Sequence, residues 1–327
     1  MPERESVPPA ALISTRVLVA DPELAAIVEV VSGERGLDRT IDHPRIQKSG
    51  LALAGHLVGV VASRVQILGE TEISYLETLE PALRIARLRG FFGLGLACVV
   101  VTRGVSPLAE LEAVARETDV PLLVATPRSS TTIAALHGAL DRLLAPREST
   151  HGVMIEVHGL GLLLVGPSGI GKSESALVMI ERGARLVADD RVDLVRMGHR
   201  VLGAAPALLR HHLEIRGLGI LNIRDLFGAT AVQDEANLDV IIELCHLDDE
   251  RSDEGFDRLG LDDATRSVLG VPVPILRVPV YPGRDMGVLL EVATRNQLLK
   301  RAGHHSARDF AEQLARGLGV PARGASR

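Results

Sequence analysis

Apolar and polar positions in the first half of the chain alternate in stretches typical of α/β proteins. Residues 96–101 are a continuous apolar run of the kind found in strands buried in a parallel sheet, and residues 121–125 are another. Between them, residues 107–117 have the period of an amphipathic helix, so the three segments predict a βαβ unit. Residues 16–20 predict a further short strand, and residues 131–145 predict an amphipathic helix.

A polar break at residues 146–150 separates this region from a second pattern. We expect an amino-terminal α/β domain over residues 1–145 and a second domain over residues 146–327. In the second domain, residues 152–158 alternate like a strand, and residues 162–165 form another apolar strand.

The pattern then changes from strand to helix and back. Residues 173–182 predict a helix, with Gly183 suited to its carboxyl-terminal cap. Residues 185–190 predict a strand that ends in two acids, and residues 288–302 predict an amphipathic helix that ends before Gly303. The expected fold class is therefore α/β throughout both domains.

Composition and charge exclude several classes of protein. Hydrophobic residues make up 46% of the 327 residues, enough for folded cores. Aromatic residues make up only 2%, which disfavours base-stacking surfaces, and the net charge of −6 argues against nucleic acid or an anionic membrane as partner. We see no signal peptide and no apolar run long enough to span a bilayer, so we expect a cytoplasmic protein.

The strand at residues 162–165 leads into a sequence with the pattern of a P-loop. Its glycines allow backbone N–H groups to turn toward phosphate oxygens, and the helix that follows adds the positive end of its dipole. The lysine reaches the terminal phosphates, and the serine hydroxyl can bind Mg²⁺. The loop consists of Gly166, Pro167, Ser168, Gly169, Ile170, Gly171, Lys172 and Ser173.

Several acids are candidates for the rest of a phosphate-transfer site. Asp189 and Asp190 end the strand after the P-loop helix, and one can hold Mg²⁺ while the other accepts a proton from an attacking hydroxyl. Glu214, followed by glycines at 217 and 219, is a possible second magnesium ligand. Glu243, inside an apolar strand, is a rival that spacing alone does not reject.

Taken together, the motifs resemble those of the bacterial HPr kinase/phosphorylase family over nearly the full chain. His151 begins the stretch that runs through the P-loop to Asp189 and Asp190. The family signature is matched by residues 213–222, which include Leu213, Glu214, Arg216, Gly217, Gly219 and Asn222. Residues 256–260 match a further motif that contains Arg258. The last motif is matched by Pro279, Tyr281, Pro282, Gly283 and Arg284.

The resemblance implies an enzyme with a P-loop kinase domain of the phosphoenolpyruvate carboxykinase type. Such enzymes phosphorylate a regulatory serine on the phosphocarrier protein HPr, using ATP or pyrophosphate with Mg²⁺, and reverse the reaction by phosphorolysis. They are typically homohexamers, with catalysis in the carboxyl-terminal domain.

The resemblance also assigns roles to particular residues. Lys172 would stabilise charge on the transferring group. Ser173 and Glu214 would hold Mg²⁺. The pair of Asp189 and Asp190 would supply the base, and His151 and Arg258 match the family's assisting histidine and catalytic arginine. The amino-terminal domain would serve contacts between domains or subunits.

The last motif departs from the family pattern at two positions. Tyr281 stands where the family usually has Arg, and Asp285 stands where it usually has Asn. The family uses this motif in dephosphorylation, when two anions must approach each other. We therefore expect phosphorolysis to be weakened relative to kinase activity.

Two alternatives remain open at this stage. One is a kinase of the same fold that acts on a different protein or on a small hydroxyl compound. The other is a regulator that binds a nucleotide without turnover, against which the intact acids, His151 and Arg258 argue.

Overall fold

The computed structural model describes residues 12–104, 108–246, 264–281 and 283–317. They divide into two compact units, with the division between Pro146 and Arg147.

The amino-terminal unit is an α/β unit. Its strands are β1 (Ile13–Ser14), β2 (Val28–Ser32), β3 (Thr40–Ile41), β4 (Gln47–Lys48), β5 (Val65–Leu68), β6 (Cys98–Val101) and β7 (Leu122–Ala125). Its helices are α1 (Thr15–Val19), α2 (Pro22–Ala25), α3 (Gly50–Leu53), α4 (Glu70–Thr78), α5 (Pro81–Phe92), α6 (Ala109–Thr118) and α7 (Ser129–Leu143).

The main sheet of this unit has the order β2-β7-β6-β5-β4. Neighbouring strands from β4 to β7 are parallel, and β2 joins β7 in the antiparallel direction. Helices α3 to α6 pack in one apolar cluster with Val99 and Val101 of β6, whereas α1, α2 and α7 pack in another with Cys98 and Val100. Because side chains of a strand alternate between faces, the helices cover both faces of the sheet. The predicted βαβ unit is confirmed as β6, α6 and β7.

The prediction of a strand at residues 16–20 is wrong, because these residues lie mostly in helix α1. The Ser14 hydroxyl accepts a hydrogen bond from the Val17 N–H and caps the helix, and the helix buries Leu18 while Val17 stays exposed. An apolar run this short fits either a strand or one helical turn, so capping and packing decide between them.

The carboxyl-terminal unit is built mainly from strands. They are β8 (Arg147–His151), β9 (Val153–Val157), β10 (Leu160–Val165), β11 (Arg185–Ala188), β12 (Arg191–Met197), β13 (Arg200–Ala204), β14 (His212–Ile215), β15 (Gly219–Asn222), β16 (Glu235–Asn237), β17 (Val240–His246), β18 (Thr265–Val268) and β19 (Val271–Val280). The helices are α8 (Lys172–Glu181), α9 (Ile223–Phe227), α10 (Met286–Arg301) and α11 (Ser306–Gly317).

A mixed sheet with the order β11-β9-β10-β17-β19-β18 forms the centre of this unit. Strands β10, β17 and β19 are parallel, but β9 pairs antiparallel with both β10 and β11. Strands β10 and β11 therefore run in the same direction without touching, so both carboxyl ends point to one edge of the sheet. The P-loop follows β10 and the acid pair follows β11, so this topology brings the two motifs to the same edge.

Two apolar clusters hold this sheet in place. One contains side chains of α8 and α10 together with residues of β9, β10 and β17 such as Ile155, Leu164 and Ile242. The other joins alternate residues of the same strands to the antiparallel sheet β16-β13-β12-β8. The predicted helices near residues 173–182 and 288–302 are confirmed as α8 and α10. Over the ranges that the structure describes, no helix has the length and apolar character needed to cross a membrane.

Candidate active site

The P-loop sequence connects β10 to α8 at the carboxyl edge of the sheet. Gly166 has a φ of 145°, and a Cβ at this position would collide with the carbonyl oxygen of Leu244, so the close approach to β17 requires glycine. The side chain of Ile170 is buried in the core and anchors the loop. Helix α8 begins at Lys172 without a side-chain cap, which leaves its first N–H groups available to an anion.

Lys172 supplies the positive charge of the loop. Its Nζ donates hydrogen bonds of 3.0 Å to the carbonyl oxygens of Gly166 and Pro167. In the part of the chain that the structure describes, Lys172 forms no ion pair with a carboxylate. Phosphate oxygens are stronger acceptors for an ammonium group than neutral carbonyls, so the lysine is ready to exchange these bonds for contacts to an anion.

Asp189 links the P-loop helix to two strands. The hydroxyl of Ser173 donates to its Oδ1 at 3.0 Å, and the N–H of Glu214 donates to its Oδ2 at 2.8 Å. Asp189 is only 6% exposed, and this burial raises the pKa of its carboxyl above the usual range, while the hydrogen bonds oppose the shift. A buried carboxylate held only by hydrogen bonds is suited to a nearby cation.

Asp190 differs sharply from its neighbour. Its side chain is 75% exposed, and its Oδ1 lies 3.7 Å from Nδ1 of His151. The backbone of Asp190 has a φ of 62°, the left-handed region that Asp and Asn tolerate better than most residues, and its carbonyl accepts from the N–H of Gly152 at 3.1 Å. This turn directs the two adjacent acids differently, one into the protein and one toward solvent.

The strand pair β14–β15 closes another side of the site. Glu214 and Arg216 are two residues apart and both line the cavity, as the period of a strand requires. The guanidinium of Arg216 donates to Oγ of Ser168 at 3.2 Å, and a Cβ on Gly169 would lie 2.7 Å from it. The sequence motif alone gives Arg216 no separate role. Its spacing of two residues from Glu214 is the signal that could have placed both side chains on one face.

These side chains surround a cavity of about 430 Å³. All of the residues that line it belong to the carboxyl-terminal unit, and they are His151, Gly152, Val153, Gly166, Ser168, Gly169, Gly171, Lys172, Ser173, Glu174, Asp189, Asp190, Glu214 and Arg216. The cavity therefore brings together the P-loop, the acid pair, the histidine and the first half of the signature motif.

Other residues of the motifs lie elsewhere. Leu213 is buried in the core, and the side chain of Asn222 caps helix α9 by accepting from the N–H groups of Arg224 and Asp225. Tyr281 packs under Arg284, whose guanidinium carbon lies 4.7 Å from the ring centroid.

Several motif positions stand apart from the cavity or from the described chain. Pro279 lies in β19 opposite Cys245. Gly283 occupies a turn with a φ of 81°. Arg258, with the rest of residues 256–260, and Pro282 lie outside the described residues.

The rival acid Glu243 has a different environment. Its two carboxylate oxygens accept hydrogen bonds from Arg266 at 3.0 Å and from Arg277 at 2.9 Å. It is absent from the residues that line the cavity. With its charge balanced by two arginines, Glu243 is a poor candidate for a magnesium ligand.

The donor atoms of the site fit a phosphate group together with a hard cation. Oxygens of Ser173, Asp189 and Glu214 are the type of ligand that Mg²⁺ prefers. Among the described residues, no cluster of three His, Cys, Asp or Glu side chains is placed to hold a metal by itself. A magnesium ion here would have to complete its shell with phosphate oxygens and water, as is usual in nucleotide sites.

A strand, a glycine-rich loop and an uncapped helix, with a lysine and buried acid beside them, define an α/β protein that carries the sequence pattern of a P-loop. Comparison with models of protein families identifies one family within this class of protein. Residues 13–140 match the model for the HPr Serine kinase N terminus, and residues 142–314 match that for the HPr Serine kinase C-terminal domain.

Curated relatives agree with this match. The HPr kinase/phosphorylase of Geobacter sulfurreducens is 41% identical over 91% of this chain and 92% of its own length. That of Leptospira biflexa is 42% identical over 88% of this chain and 89% of its own. A solved HPr(Ser) kinase/phosphatase from Coxiella burnetii is 32% identical, with a TM-score of 0.44, over 50% of this chain and 98% of that one.

The chain belongs to the HPr kinase/phosphorylase family. The expectation drawn from the motifs, that it is an enzyme of this kind, is confirmed.

Proposed function

We propose that this chain transfers a phosphoryl group from ATP or pyrophosphate to a serine of HPr and reverses the transfer by phosphorolysis. The observation that carries this proposal is the contrast between Asp189 and Asp190 beside one P-loop. A buried acid that organises the phosphate site and an exposed acid that can meet an incoming hydroxyl are the two carboxylates that such a transfer needs.

The phosphate cradle supports either donor. The loop N–H groups, the start of α8 and Lys172 recognise phosphate oxygens and require no base or sugar. Pyrophosphate therefore presents the same groups to the loop as the end of a nucleoside triphosphate. The proposal includes the fold of this domain: we propose that residues 146–327 form a P-loop kinase domain of the phosphoenolpyruvate carboxykinase type.

Mg²⁺, held by Ser173, Asp189 and Glu214, would supply charge neutralisation for the phosphates when bound. Ser173 is fixed for this role by its hydrogen bond to Asp189. The backbone of Glu214 is held in place by its N–H, which donates to the other carboxylate oxygen of Asp189.

In the forward direction, Asp190 accepts the proton of the serine hydroxyl as the serine oxygen bonds to phosphorus. The bond between that phosphorus and the bridging oxygen of the donor breaks, and Lys172 and Arg216 balance charge on the oxygens of the transferred group. His151, whose Nδ1 lies 3.7 Å from Oδ1 of Asp190, is close enough to orient this carboxylate.

In the reverse direction, an oxygen of inorganic phosphate bonds to the phosphorus of phosphoserine. The bond to the serine oxygen breaks, and Asp190 returns its proton to that oxygen. The products are free serine on HPr and pyrophosphate, which remains in the cradle of the P-loop. Arg258 would contribute to both directions as the catalytic arginine that the family motif implies.

The assembly is part of the proposal. We expect a homohexamer, with residues 1–145 serving contacts between subunits or domains. Large apolar side chains exposed on both units support this expectation, among them Leu51 at 74%, Val58 at 81% and Leu208 at 93%. Analytical ultracentrifugation of the full chain tests it, and a monomer at micromolar concentration would contradict it.

Label transfer from ATP to purified HPr tests the function directly. Wild-type HPr should gain label, and HPr with the regulatory serine replaced by alanine should not. Label on another acceptor but none on HPr would favour a kinase of the same fold with a different substrate. Nucleotide binding without transfer to any acceptor would favour a nucleotide-sensing regulator.

A further inference from the structure

A second cavity, of about 340 Å³, lies within the amino-terminal unit. It is formed at the carboxyl ends of four parallel strands. Lys48 ends β4, Gly69 follows β5, Arg103 follows β6, and Arg128 and Ser129 follow β7. A volume of this size accommodates a small molecule.

The topology of the sheet explains the cavity. The chain leaves β5 into helix α4, which packs with the cluster on one face through Ile73 and Leu76. It leaves β7 into helix α7, which packs with the cluster on the opposite face through Leu136 and Leu140. Helix α6, which follows β6, packs on the same face as α4, so the connections of the neighbouring strands β6 and β7 diverge and a crevice opens between them. Crevices at such points are where ligands bind in open α/β sheets.

Three cationic side chains line this crevice, and only one of them is in an ion pair within the described residues. Within the described residues, Lys48 and Arg128 are exposed and form no ion pair. Arg103 is paired with Glu70. The remaining acid, Glu72, accepts a hydrogen bond of 2.8 Å from the N–H of Gly69 and so caps helix α4. Lys48 and Arg128 are thus left without an ion-pair partner in the part of the chain that the structure describes.

The backbone and the hydroxyl groups add to this arrangement. Arg103 has a φ of 71°, a strained conformation for a residue other than glycine, and such strain concentrates at binding sites. The hydroxyl of Ser129 is 2.6 Å from that of the fully buried Thr102, which fixes its position at the cavity wall. Helix α7 has neither a side-chain cap nor an acid in its first turn.

We propose that this crevice binds a small phosphate monoester, separately from the P-loop. Lys48 and Arg128 match the two charges of a phosphate dianion, whereas a single carboxylate would leave one of them unbalanced. The hydroxyls of Ser129 and Ser130 complete the contacts to the phosphate oxygens. Arg103, paired with Glu70, also lines the crevice.

Calorimetric titration of the full chain, without nucleotide, tests the proposal with glycerol 3-phosphate as the probe and glycerate as the carboxylate of similar size. We expect glycerol 3-phosphate to bind, and Arg128→Ala and Lys48→Ala each to raise its Kd by about tenfold or more. Arg35→Ala should leave the Kd unchanged, because Arg35 is an exposed arginine of the same unit that does not line the cavity.

Lys172→Ala separates this site from the P-loop. If the probe occupied the P-loop, Lys172→Ala would weaken binding and Arg128→Ala would not, and the proposal would be overturned while the proposed kinase function would stand. No binding at about 10 mM probe would also overturn it. Equal binding of glycerate would overturn the choice of phosphate. Circular dichroism of each variant confirms that loss of binding is not loss of fold.

Discussion

The hydroxyl of Ser173 donates a hydrogen bond of 3.0 Å to Oδ1 of Asp189, which joins the first turn of α8 to the end of β11. The second oxygen of the same carboxylate accepts from the N–H of Glu214 and so reaches β14. One buried side chain therefore sets the relative positions of three segments that carry the site.

Asp189→Asn should lower the kinase rate by about 10²-fold or more while the protein remains folded. The amide keeps the shape and can retain the bond from Glu214, but it removes the charge that a cation requires. Steady-state kinetics over a range of Mg²⁺ concentrations and thermal unfolding measure the two effects.

Asp193→Asn is the matched control for this variant. Asp193 also bonds to a serine, with its Oδ1 2.7 Å from Ser149 Oγ, but it does not line the cavity. Its replacement should leave the rate within about twofold of the original. Equal losses in both variants would show that Asp189 has no special role.

Asp190→Asn should reduce both directions of transfer by about 10² to 10⁴-fold, the usual contribution of a general base. Stability should change little, because Asn tolerates the left-handed backbone at this position and the side chain is exposed. Rates of HPr phosphorylation and of phosphorolysis provide the measurement.

His211 and Asp234 offer a comparison of the same chemical type. They form a pair at 3.3 Å, in which His211 is half-buried and Asp234 is exposed, and neither lines the cavity. Asp234→Asn should leave both rates unchanged. If Asp190→Asn impaired only one direction, the shared role of this acid in both reactions would be refuted.

Arg216→Lys should slow transfer by about tenfold or more despite keeping the charge. The planar guanidinium contacts Ser168 and can contact two phosphate oxygens at once, which an ammonium group does not. We expect the loss mainly in kcat. Arg224→Lys, on the exposed side of α9, is the control and should be neutral. An unchanged kcat in Arg216→Lys would exclude a direct contact in the transition state.

Tyr281→Arg combined with Asp285→Asn should raise the ratio of phosphorolysis to kinase rate several-fold. In the structure, the negative charge of Asp285 is already engaged in two contacts. Its carboxylate caps α10 through the N–H of Val288 and pairs with Arg182 at 2.9 Å, contacts that lower its pKa. Part of its negative charge is thus already balanced, so Tyr281→Arg should account for most of the change.

The single variants distinguish these contributions. Asp285→Asn should keep the cap, since Asn is a good amino-terminal cap, whereas Asp285→Ala should lower the melting temperature. An unchanged ratio of the two rates in the double variant would refute the proposal that this motif weakens phosphorolysis.

Cys98 should resist alkylation in the native protein. Burial in β6 raises the pKa of its thiol to about 12, so the reactive thiolate is scarce. Because the pKa is higher in the folded state, unfolding above pH of about 8.5 releases a proton, and stability falls as the pH rises toward 12. Iodoacetamide labelling at pH 8.5 should modify the half-buried Cys245 faster than Cys98. Comparable rates would contradict this burial.

Long periodic segments and short motifs were predictable from the sequence, and side-chain environment was not. The helices near residues 107–117 and 173–182 follow from their period, which packing then reinforces. Asp189 and Asp190 are adjacent and chemically identical, so the sequence left their roles open. The left-handed turn at Asp190 separates them. The short apolar run at residues 16–20 was wrongly predicted to be a strand, because a capped helical turn and a strand can have the same short apolar pattern.

The position of the site along the chain has a consequence for how it folds. His151, Lys172, Ser173, Asp189 and Asp190 all come from residues 151–190, one continuous segment that also contains β9, β10, α8 and β11. Closing short loops costs little entropy, so this segment can form early as one cooperative unit. Glu214 and Arg216 come from a separate hairpin, which we expect to form later. In native-state hydrogen exchange, the paired amides of this hairpin should open at lower free energy than those of β10 in the central sheet.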